Sequence, residues 1–316
     1  MIEQFSSDVD AGLSHVQKKL PSKYFYDKTG DALFVKIMAL PEYYLTRAEM
    51  EIFTLQTSSM IEALTLNKSE YFELIELGAG DGRKTKKLLK ALSEKGFQYD
   101  YLPIDISGNA LNQLQQSLAN ELPEVSVKTQ QGDYFGILEN LKKSHHPKVV
   151  LFLGSNIGNM LDEEASLFLK NLSETLNAGD KLLLGVDLIK PEEKILPAYN
   201  DSSGITRQFN LNILTRINRE LGGDFDLNKF DHQPYYKQQE GIAKSYLKSL
   251  SDQRVTINHT GKSYHFKAGE MIHTEISRKY NDQMIQQIIK DSDFRVQTKL
   301  CDRQTLFADY ILSLSQ

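Results

Sequence analysis

The sequence has a single cysteine, no excess of positive charge and no long hydrophobic run. Cys301 alone excludes an internal disulfide framework and a cysteine-rich zinc site, and so little cysteine is typical of a reducing cytoplasm. No segment approaches the roughly 20 apolar residues of a membrane-spanning helix, so we expect no membrane contact. Residues 1–8 lack the basic segment and apolar core of a secretion signal, which also favours a cytoplasmic protein.

The charged residues are nearly balanced. There are 37 Lys and Arg against 42 Asp and Glu, a formal net charge of −5, which argues against nucleic acid as the main partner. Hydrophobic residues make up 40% and charged residues 25% of the 316 residues, as is typical of a globular protein. This length suffices for one large domain or two smaller ones, and we expect a monomer.

A glycine-rich loop is the strongest local pattern. An apolar run of strand length ends at Leu77, glycines follow at Gly78, Gly80 and Gly82, and leucines with helical spacing begin after Lys84. A strand, a tight turn and a helix N-terminus in this order form a place where a nucleoside cofactor can lie against the backbone.

The spacing of the glycines separates three cofactor classes. A dinucleotide-binding loop, G-x-G-x-x-G, and a Walker loop would both require glycine at the position of Arg83. The pattern present, E-x-G-x-G-x-G starting at Glu76, is that of Rossmann-like methyltransferases that use S-adenosylmethionine. Asp105 ends the next predicted strand, where a carboxylate can accept hydrogen bonds from a ribose diol. This carboxylate favours the methyltransferase over an ordinary strand–helix connection.

Strand-like and helix-like segments alternate from residue 71 to 188, which predicts a doubly wound parallel sheet. Functional residues of such a sheet collect at the carboxyl ends of its strands. Helices are predicted over about 107–120, capped by Ser107, and over 162–176. A further helix over 281–291 and two strands are predicted to complete the sheet.

The remaining residues do not follow this alternation. We predict a helix over 205–221, a hairpin that pairs 242–250 with 262–267, and a capping box from Thr46 to Glu49 that opens a helix. The predicted fold is therefore α/β, a Rossmann-like sheet with an additional α+β substrate-binding or lid domain. Residues 54–188 and 280–316 are assigned to the S-adenosylmethionine-binding domain, and residues 1–53 and 189–279 to the substrate-binding domain.

Six segments together resemble a known family. The chain is similar to the histidine-specific, S-adenosylmethionine-dependent methyltransferases, the L-histidine Nα-methyltransferases that make hercynine in ergothioneine biosynthesis. The resemblance extends from about residue 10 to the end. The segments, in order, are 23–27 (KYFYD), 40–44 (LPEYY), 76–80 (ELGAG), 154–159 (GSNIGN), 198–201 (AYND) and 274–277 (TEIS).

The resemblance implies roles for individual residues. An asparagine and two tyrosines hold the α-amine and carboxylate of the substrate, and they are the residues closest to the chemistry: Tyr43, Asn159 and Tyr199. A glutamate and a serine, Glu275 and Ser277, bind the imidazole. Cofactor contacts are expected from Tyr26, Gly78, Lys84, Asp105, Asp133, Tyr134, Gly154 and Ser155, with Lys84 approaching the cofactor carboxylate.

The segment 271–277 independently agrees with this role. It alternates like a strand, so Glu275 and Ser277 share one face and Thr274 lies on the other. A carboxylate can accept from an imidazole N–H, and a hydroxyl can serve the other ring nitrogen. No histidine or other residue shows the spacing of a metal site, so no metal is expected.

Two positions depart from the family pattern. Ser245 stands where we expect an apolar methionine against the substrate, and a more polar pocket wall would weaken selectivity for histidine. The glycine loop carries Asp81 and Arg83 where the family usually has smaller polar residues.

The sequence thus predicts an N-methyltransferase that adds methyl groups, three on this expectation, to the α-amine of L-histidine, a small-molecule substrate. Methyl transfer to another aromatic amino acid or amine is the first alternative. A protein that binds the cofactor without turnover is a second, and a nicotinamide oxidoreductase is disfavoured by Arg83.

Overall fold

A computed structural model of the chain describes residues 2–132, 142 and 144–314. Within these ranges the α-helices are α1 Ile2–Ser14, α2 Lys28–Met38, α3 Tyr44–Leu55, α4 Thr57–Leu64, α5 Thr85–Glu94, α6 Gly108–Glu121, α7 Asp162–Ser173, α8 Glu192–Tyr199, α9 Ile205–Leu221 and α10 Asp282–Ile289. Short 3-10 helices lie at Ser22–Phe25, Asn156–Asn159 and Leu227–Lys229. The strands are β1 Phe72–Leu77, β2 Tyr99–Asp105, β3 Ser126–Val127, β4 Gln130–Gln131, β5 Lys148–Phe152, β6 Lys181–Asp187, β7 Phe230–Lys237, β8 Ile242–Ser249, β9 Gln253–Ile257, β10 Lys262–Phe266, β11 Met271–Arg278, β12 Phe294–Cys301 and β13 Phe307–Leu314.

The chain forms two compact units. Unit 1 comprises Met1–Tyr44 and Lys190–Ser277, and unit 2 comprises Leu45–Ile189 and Arg278–Gln316. The division expected from sequence differs at residues 45–53, 189 and 278–279. Most of this difference is α3, which belongs to unit 2 because Ala48, Ile52 and Phe53 are buried in a core cluster with the sheet of that unit.

Unit 2 is built on one mainly parallel sheet with the strand order β12-β13-β6-β5-β1-β2-β3, and β4 pairs with β2. β1 is parallel to β2 and β5, and β5 is parallel to β6, whereas β13 is antiparallel to both β6 and β12. The predicted α/β sheet, completed by the last two strands, is therefore confirmed.

Helices cover both faces of this sheet. One core cluster joins it to α7 and α10, and a second joins it to α3, α4, α5 and α6. β6 contributes to both clusters by alternation, since Leu182 and Leu184 lie in the first and Leu183 in the second. β5 is buried at every position, as expected of a strand covered on both faces.

Unit 1 has two small antiparallel sheets around α9. One has the strand order β11-β8-β7, and the other is the pair β9-β10. The predicted helix over 205–221 is confirmed. Helix α6, with Ser107 as its N-cap, is confirmed as well, since the Ser107 hydroxyl accepts from Ala110 N at 3.1 Å. The helices predicted over 162–176 and 281–291 form as the shorter α7 and α10.

The predicted pairing of 242–250 with 262–267 is wrong. β8 pairs with β7, where Ser245 lies opposite Pro234, and β10 pairs with β9. Both hairpins close over short turns that contain a glycine with positive φ, Gly241 at 63° and Gly261 at 66°. Pairing strands that are neighbours in sequence requires a smaller loss of chain entropy than joining distant ones.

The predicted capping box is also wrong. Helix α3 begins at Tyr44, so Thr46 already lies inside it, and the Glu49 side chain is buried rather than turned back to the helix terminus. None of the helices in the described ranges combines the length and hydropathy that a membrane crossing needs.

The core of unit 2 gives a stability prediction. The Phe168 ring of α7 is fully buried, 5.1 Å from the ring of Phe152, so Phe168→Ala should lower the unfolding free energy of this unit by about 3–5 kcal/mol. Leu167 is the matched control, because it is 57% exposed on the same helix and its replacement by alanine should cost less than about 0.5 kcal/mol.

The measurement is urea unfolding, monitored through the hydrogen exchange of peptides from unit 2. Peptides of one unit are needed because the two units need not unfold in one transition. If Phe168→Ala and Leu167→Ala lowered the unfolding free energy equally, the burial of Phe168 in the first core cluster would be wrong.

Candidate cofactor and substrate sites

The loop after β1 requires glycine at several positions. Gly78, Gly80 and Gly82 have φ of 75°, 54° and 63°, in the left-handed region that glycine adopts most easily. A Cβ on Gly82 would also lie 2.4 Å from Leu114 Cδ1 of α6. A Cβ on Gly80 would meet nothing within 4 Å, so the backbone there is open to a ligand.

Asp105 ends β2, as the sequence predicted, and its side chain lies against this loop. One carboxylate oxygen accepts from Gly80 N at 3.0 Å and the other from Ser107 N at 2.9 Å. Gly78 N donates to Ile104 O at 2.8 Å and extends the contact between the loop and the end of β2. The half-buried carboxylate is thus fixed in place, and each oxygen can accept a further hydrogen bond.

Glu76, the first residue of the loop pattern, has a structural role. Its buried carboxyl group accepts hydrogen bonds from the Thr85 hydroxyl at 2.8 Å and from the Tyr101 hydroxyl. Burial raises the pKa of Glu76 to about 7, although both hydrogen bonds act in the opposite direction. These contacts connect the start of the loop to the first residue of α5.

Lys84 and Gly154 are held by a residue that the sequence reasoning missed. Glu49 is 1% exposed, pairs with the Lys84 ammonium group, and accepts from Gly154 N at 2.8 and 3.2 Å with its two oxygens. Burial lowers the pKa of Lys84, but the charge and hydrogen bond of Glu49, with a smaller contribution from Glu76, outweigh it and raise that pKa.

A sequence signal for Glu49 was available. Leu45, Ala48, Ile52 and Phe53 form the apolar stripe of an amphipathic helix, and Glu49 falls on that stripe at helical spacing. A carboxylate at such a position must find partners in the interior, which distinguishes it from an exposed capping residue.

The turn after β5 has an unusual backbone. Gly154 has φ of 70° and the following Ser155 has φ of 59°, which is uncommon for a residue with a side chain. The Ser155 hydroxyl accepts from Asp187 N at 3.0 Å and so joins this turn to the end of β6. Backbone strain of this kind is concentrated at functional sites. Asn159 ends the 3-10 helix that follows, and it is exposed.

Other residues near the strand ends differ in role. Asp187 is fully buried in an ion pair with Lys279 at 2.8 Å, which makes it structural. The two departures in the glycine loop pair with each other, since Arg83 Nε lies 2.9 Å from Asp81 Oδ2. The predicted adenine-framing residues Asp133 and Tyr134 lie outside the described residues.

In unit 1, the structure brings Tyr199 and Ser277 together. Tyr199 ends α8 and its hydroxyl donates to Ser277 Oγ at 2.8 Å, with both residues buried. Glu275 is half-buried two residues before Ser277 on β11, so the two side chains share a face. Three of the five expected substrate-binding residues therefore belong to one local arrangement.

Buried polar contacts hold the opposite face of β11. The Thr274 hydroxyl donates to Asn210 Oδ1 at 2.9 Å and lies 3.0 Å from Ser245 O. Ser245 itself is 1% exposed, with its Oγ 3.2 Å from Nε2 of the buried His232. Its hydroxyl group is therefore engaged inside unit 1 and does not face open space.

Tyr26 and Tyr43 belong to an aromatic group in the same unit. The Tyr26 ring lies edge-on to Phe34 and Phe209, with 5.7 Å between ring centroids in each case. The Tyr43 ring lies 6.3 Å from Phe34 in a similar geometry. Both tyrosines are half-buried.

The described residues contain no group of three or more His, Cys, Asp or Glu side chains that could bind a metal ion.

These features define a class of protein. A mainly parallel sheet, a glycine loop after its first strand and a carboxylate fixed at the end of the second form the Rossmann-like architecture of S-adenosylmethionine-dependent methyltransferases. Residues 5–314 match the family described as histidine-specific methyltransferase, SAM-dependent. The chain belongs to this family, and its cofactor is S-adenosylmethionine.

Individual relatives agree with the family assignment. The chain is 36% identical to histidine N-alpha-methyltransferase of Mycolicibacterium smegmatis, over 90% of this chain and 86% of that protein. It is 32% identical to ergothioneine biosynthesis protein 1 of Schizosaccharomyces pombe, over 92% of this chain and 38% of that protein. A solved S-adenosylmethionine-dependent methyltransferase from Clostridium acetobutylicum is similar at 12% identity and a TM-score of 0.45, covering 85% of this chain and 92% of that one.

The burial of His232 gives a prediction about pH. Burial lowers the pKa of His232 from 6.5 to about 4, so the unfolded chain binds this proton first as pH falls. Unit 1 should therefore lose about 3 kcal/mol of stability through His232 as pH falls from 6.5 to 4. His232→Gln, which keeps a polar group near Ser245, should lose much less over this range.

The measurement is urea unfolding of unit 1 at a series of pH values, with exposed His265→Gln as the control that keeps the wild-type slope. An unchanged slope in His232→Gln would show that another group dominates the pH dependence.

Proposed function

We propose that this protein transfers methyl groups from S-adenosylmethionine to the α-amine of L-histidine, three in succession, to give hercynine for ergothioneine biosynthesis. The observation that carries the proposal is the arrangement of Tyr199, Ser277 and Glu275 in a chain of this family. Similarity to the histidine N-alpha-methyltransferase of Mycolicibacterium smegmatis and to ergothioneine biosynthesis protein 1 of Schizosaccharomyces pombe supports it.

The hydrogen bond from Tyr199 to Ser277 supports a site for a neutral imidazole. Ser277 Oγ accepts a hydrogen bond from the Tyr199 hydroxyl, and a serine hydroxyl can donate one at the same time. Glu275 accepts from the ring N–H, and Ser277 donates to the other ring nitrogen. A ligand that lacks either nitrogen leaves a buried polar group unpaired, which is the basis of strong discrimination.

Tyr43, Asn159 and Tyr199 are proposed to hold the α-amine and carboxylate of the amino acid. Their work is to orient the nitrogen lone pair and to exclude water. S-adenosylmethionine supplies a methyl group on a sulfonium, an already activated leaving group, so no covalent enzyme intermediate is required. Each of the first two methylations also releases one proton from nitrogen, whereas the third forms a quaternary ammonium ion.

The residues of unit 2 fit the cofactor. The backbone at Gly80 is open, Gly154 is exposed, and the Asp105 carboxylate is fixed with acceptor capacity remaining. We assign cofactor contacts to Gly78, Lys84, Asp105, Gly154 and Ser155. The proposal also includes Tyr26, Asp133 and Tyr134, for which the family resemblance is the support.

We also propose that the enzyme is monomeric and cytoplasmic, and that it acts on a small molecule and not on nucleic acid. The support is compositional: a formal net charge of −5 and a single cysteine.

Glu275→Gln tests the substrate. Replacing the carboxylate by an amide removes the strongest acceptor for the imidazole N–H, and binding of L-histidine should weaken about 10–100-fold. Calorimetric titration measures the binding, and mass spectrometry of wild-type reactions should show trimethylated histidine. Glu240→Gln is the control, because Glu240 is exposed on the surface of the same unit, in ion pairs with Lys237 and Lys244.

The outcomes separate the alternatives. Methylation of another aromatic amino acid or amine in place of histidine would overturn the substrate and leave the fold assignment intact. Cofactor binding without transfer to any amino acid of a test panel would indicate a non-catalytic protein.

Asp105→Asn tests the cofactor site. An amide offers one acceptor where two backbone N–H groups and the ribose need a carboxylate, so KM for S-adenosylmethionine should rise about 10–100-fold. Affinity for L-histidine should change much less. Asp100→Asn changes contacts with Lys128, Ser126 and Tyr71 at the other end of the same strand, and should leave KM near its wild-type value. An unchanged KM in Asp105→Asn would exclude Asp105 from cofactor binding.

A further inference from the structure

In unit 2, the buried carboxyl groups of Glu49 and Asp309 both lie close to Gly185 of β6, which has no side chain. A Cβ on Gly185 of β6 would lie 2.5 Å from Glu49 Oε1 and 2.9 Å from Asp309 Oδ1. Gly185 and Asp309 are directly opposite each other in the β6–β13 register. Glu49 is 1% exposed and Asp309 is fully buried. The missing side chain of Gly185 therefore provides the space in which the two carboxyl groups approach.

The two groups differ in the donors available to them. Glu49 is bound by the Lys84 ammonium group and by Gly154 N. In the described part of the chain, neither oxygen of Asp309 has a hydrogen-bond partner. A carboxylate without donors in the interior is strongly disfavoured, whereas a carboxylic acid can itself donate.

The surrounding charges point the same way. The titratable groups that act on Asp309 are Glu49 and Lys84, with the Cys301 thiol as a weaker neighbour, and Glu76 acts in turn on Lys84. A single ammonium group cannot balance two ionised carboxylates in a low-dielectric interior, so one of them must hold a proton. Burial, and then the charge of Glu49, raise the pKa of Asp309 well above its usual range, although Lys84 acts against this.

We propose that Asp309 carries a proton and donates it in a hydrogen bond to Glu49, which makes Glu49 the one negative charge that positions Lys84 and the Gly154 N–H for the cofactor. Glu49 touches neither cofactor nor substrate and is a positioning residue. This inference rests on the proposed cofactor contacts of Lys84 and Gly154, whereas the proton on Asp309 stands independently of them.

Infrared difference spectroscopy tests the proton directly. Wild type minus Asp309→Asn at neutral pH should show the C=O stretching band of a protonated carboxylic acid, which is distinct from carboxylate bands. Asparagine has nearly the same shape and can still donate to Glu49, so this variant should fold. A difference spectrum without the band would overturn the proposal.

The pH dependence of stability gives a second readout for the same variant. Because the folded state keeps a proton that the unfolded state releases above the ordinary aspartate pKa of 3.8, wild-type stability should decline as pH rises above that value. Asp309→Asn lacks this decline, so its melting temperature should rise by several degrees relative to wild type between pH 4 and 8. Parallel profiles would contradict the protonated state.

Glu49→Gln tests the positioning role. The amide can still accept from Gly154 N but leaves Lys84 without its counter-charge, so KM for S-adenosylmethionine should rise about tenfold while kcat changes by less than about threefold. Glu51→Gln, on the same helix in an ion pair with Arg303, is the control that keeps wild-type KM. An unchanged KM in Glu49→Gln would overturn the role of Glu49. If the wild-type enzyme forms no hercynine, the proposed function fails, and the infrared band still decides the state of Asp309.

Discussion

The glycine loop of unit 2 depends on one contact, the hydrogen bond from Gly80 N to the Asp105 carboxylate. It fixes the glycine loop relative to the end of β2, and Ser107 N fixes the same carboxylate from the side of α6. Glycine at positions 78, 80 and 82 follows from this arrangement, because the loop must turn with positive φ to bring its amide groups to that carboxylate. The glycine content of the loop is thus a consequence of its backbone geometry.

In unit 1, buried contacts hold polar side chains of β11 in fixed directions. Thr274 is bound to Asn210 on one face of β11, so the opposite face, with Glu275 and Ser277, has a fixed orientation. Tyr199 then sets the direction of the Ser277 hydroxyl. Side chains that are held by buried partners in this way lose less entropy when they bind a ligand.

The fold was largely predictable from sequence, because strand–helix alternation, the glycine loop and the position of Asp105 are local patterns with a direct structural meaning. The pairing of β8 with β7 was missed because nonlocal partners were chosen over a turn that contains Gly241. Glu49 was missed for the opposite reason. A short local pattern suggested a helix cap, whereas its contacts with Lys84 and Gly154 join residues far apart in sequence. Composition and periodicity describe neighbours along the chain and are silent about such contacts.

The position of β13 has a consequence for the order in which the chain can fold. β13 comes long after β6 in the chain, yet it lies inside the sheet, between β6 and β12. Until it arrives, β6 is an unprotected edge whose residues are almost all apolar, the kind of edge that pairs readily with other chains. The nascent protein must keep this edge from aggregating while 119 residues, from Leu188 to Leu306, are added between the two strands. Slow translation of that segment would therefore lengthen the period in which the chain is at risk.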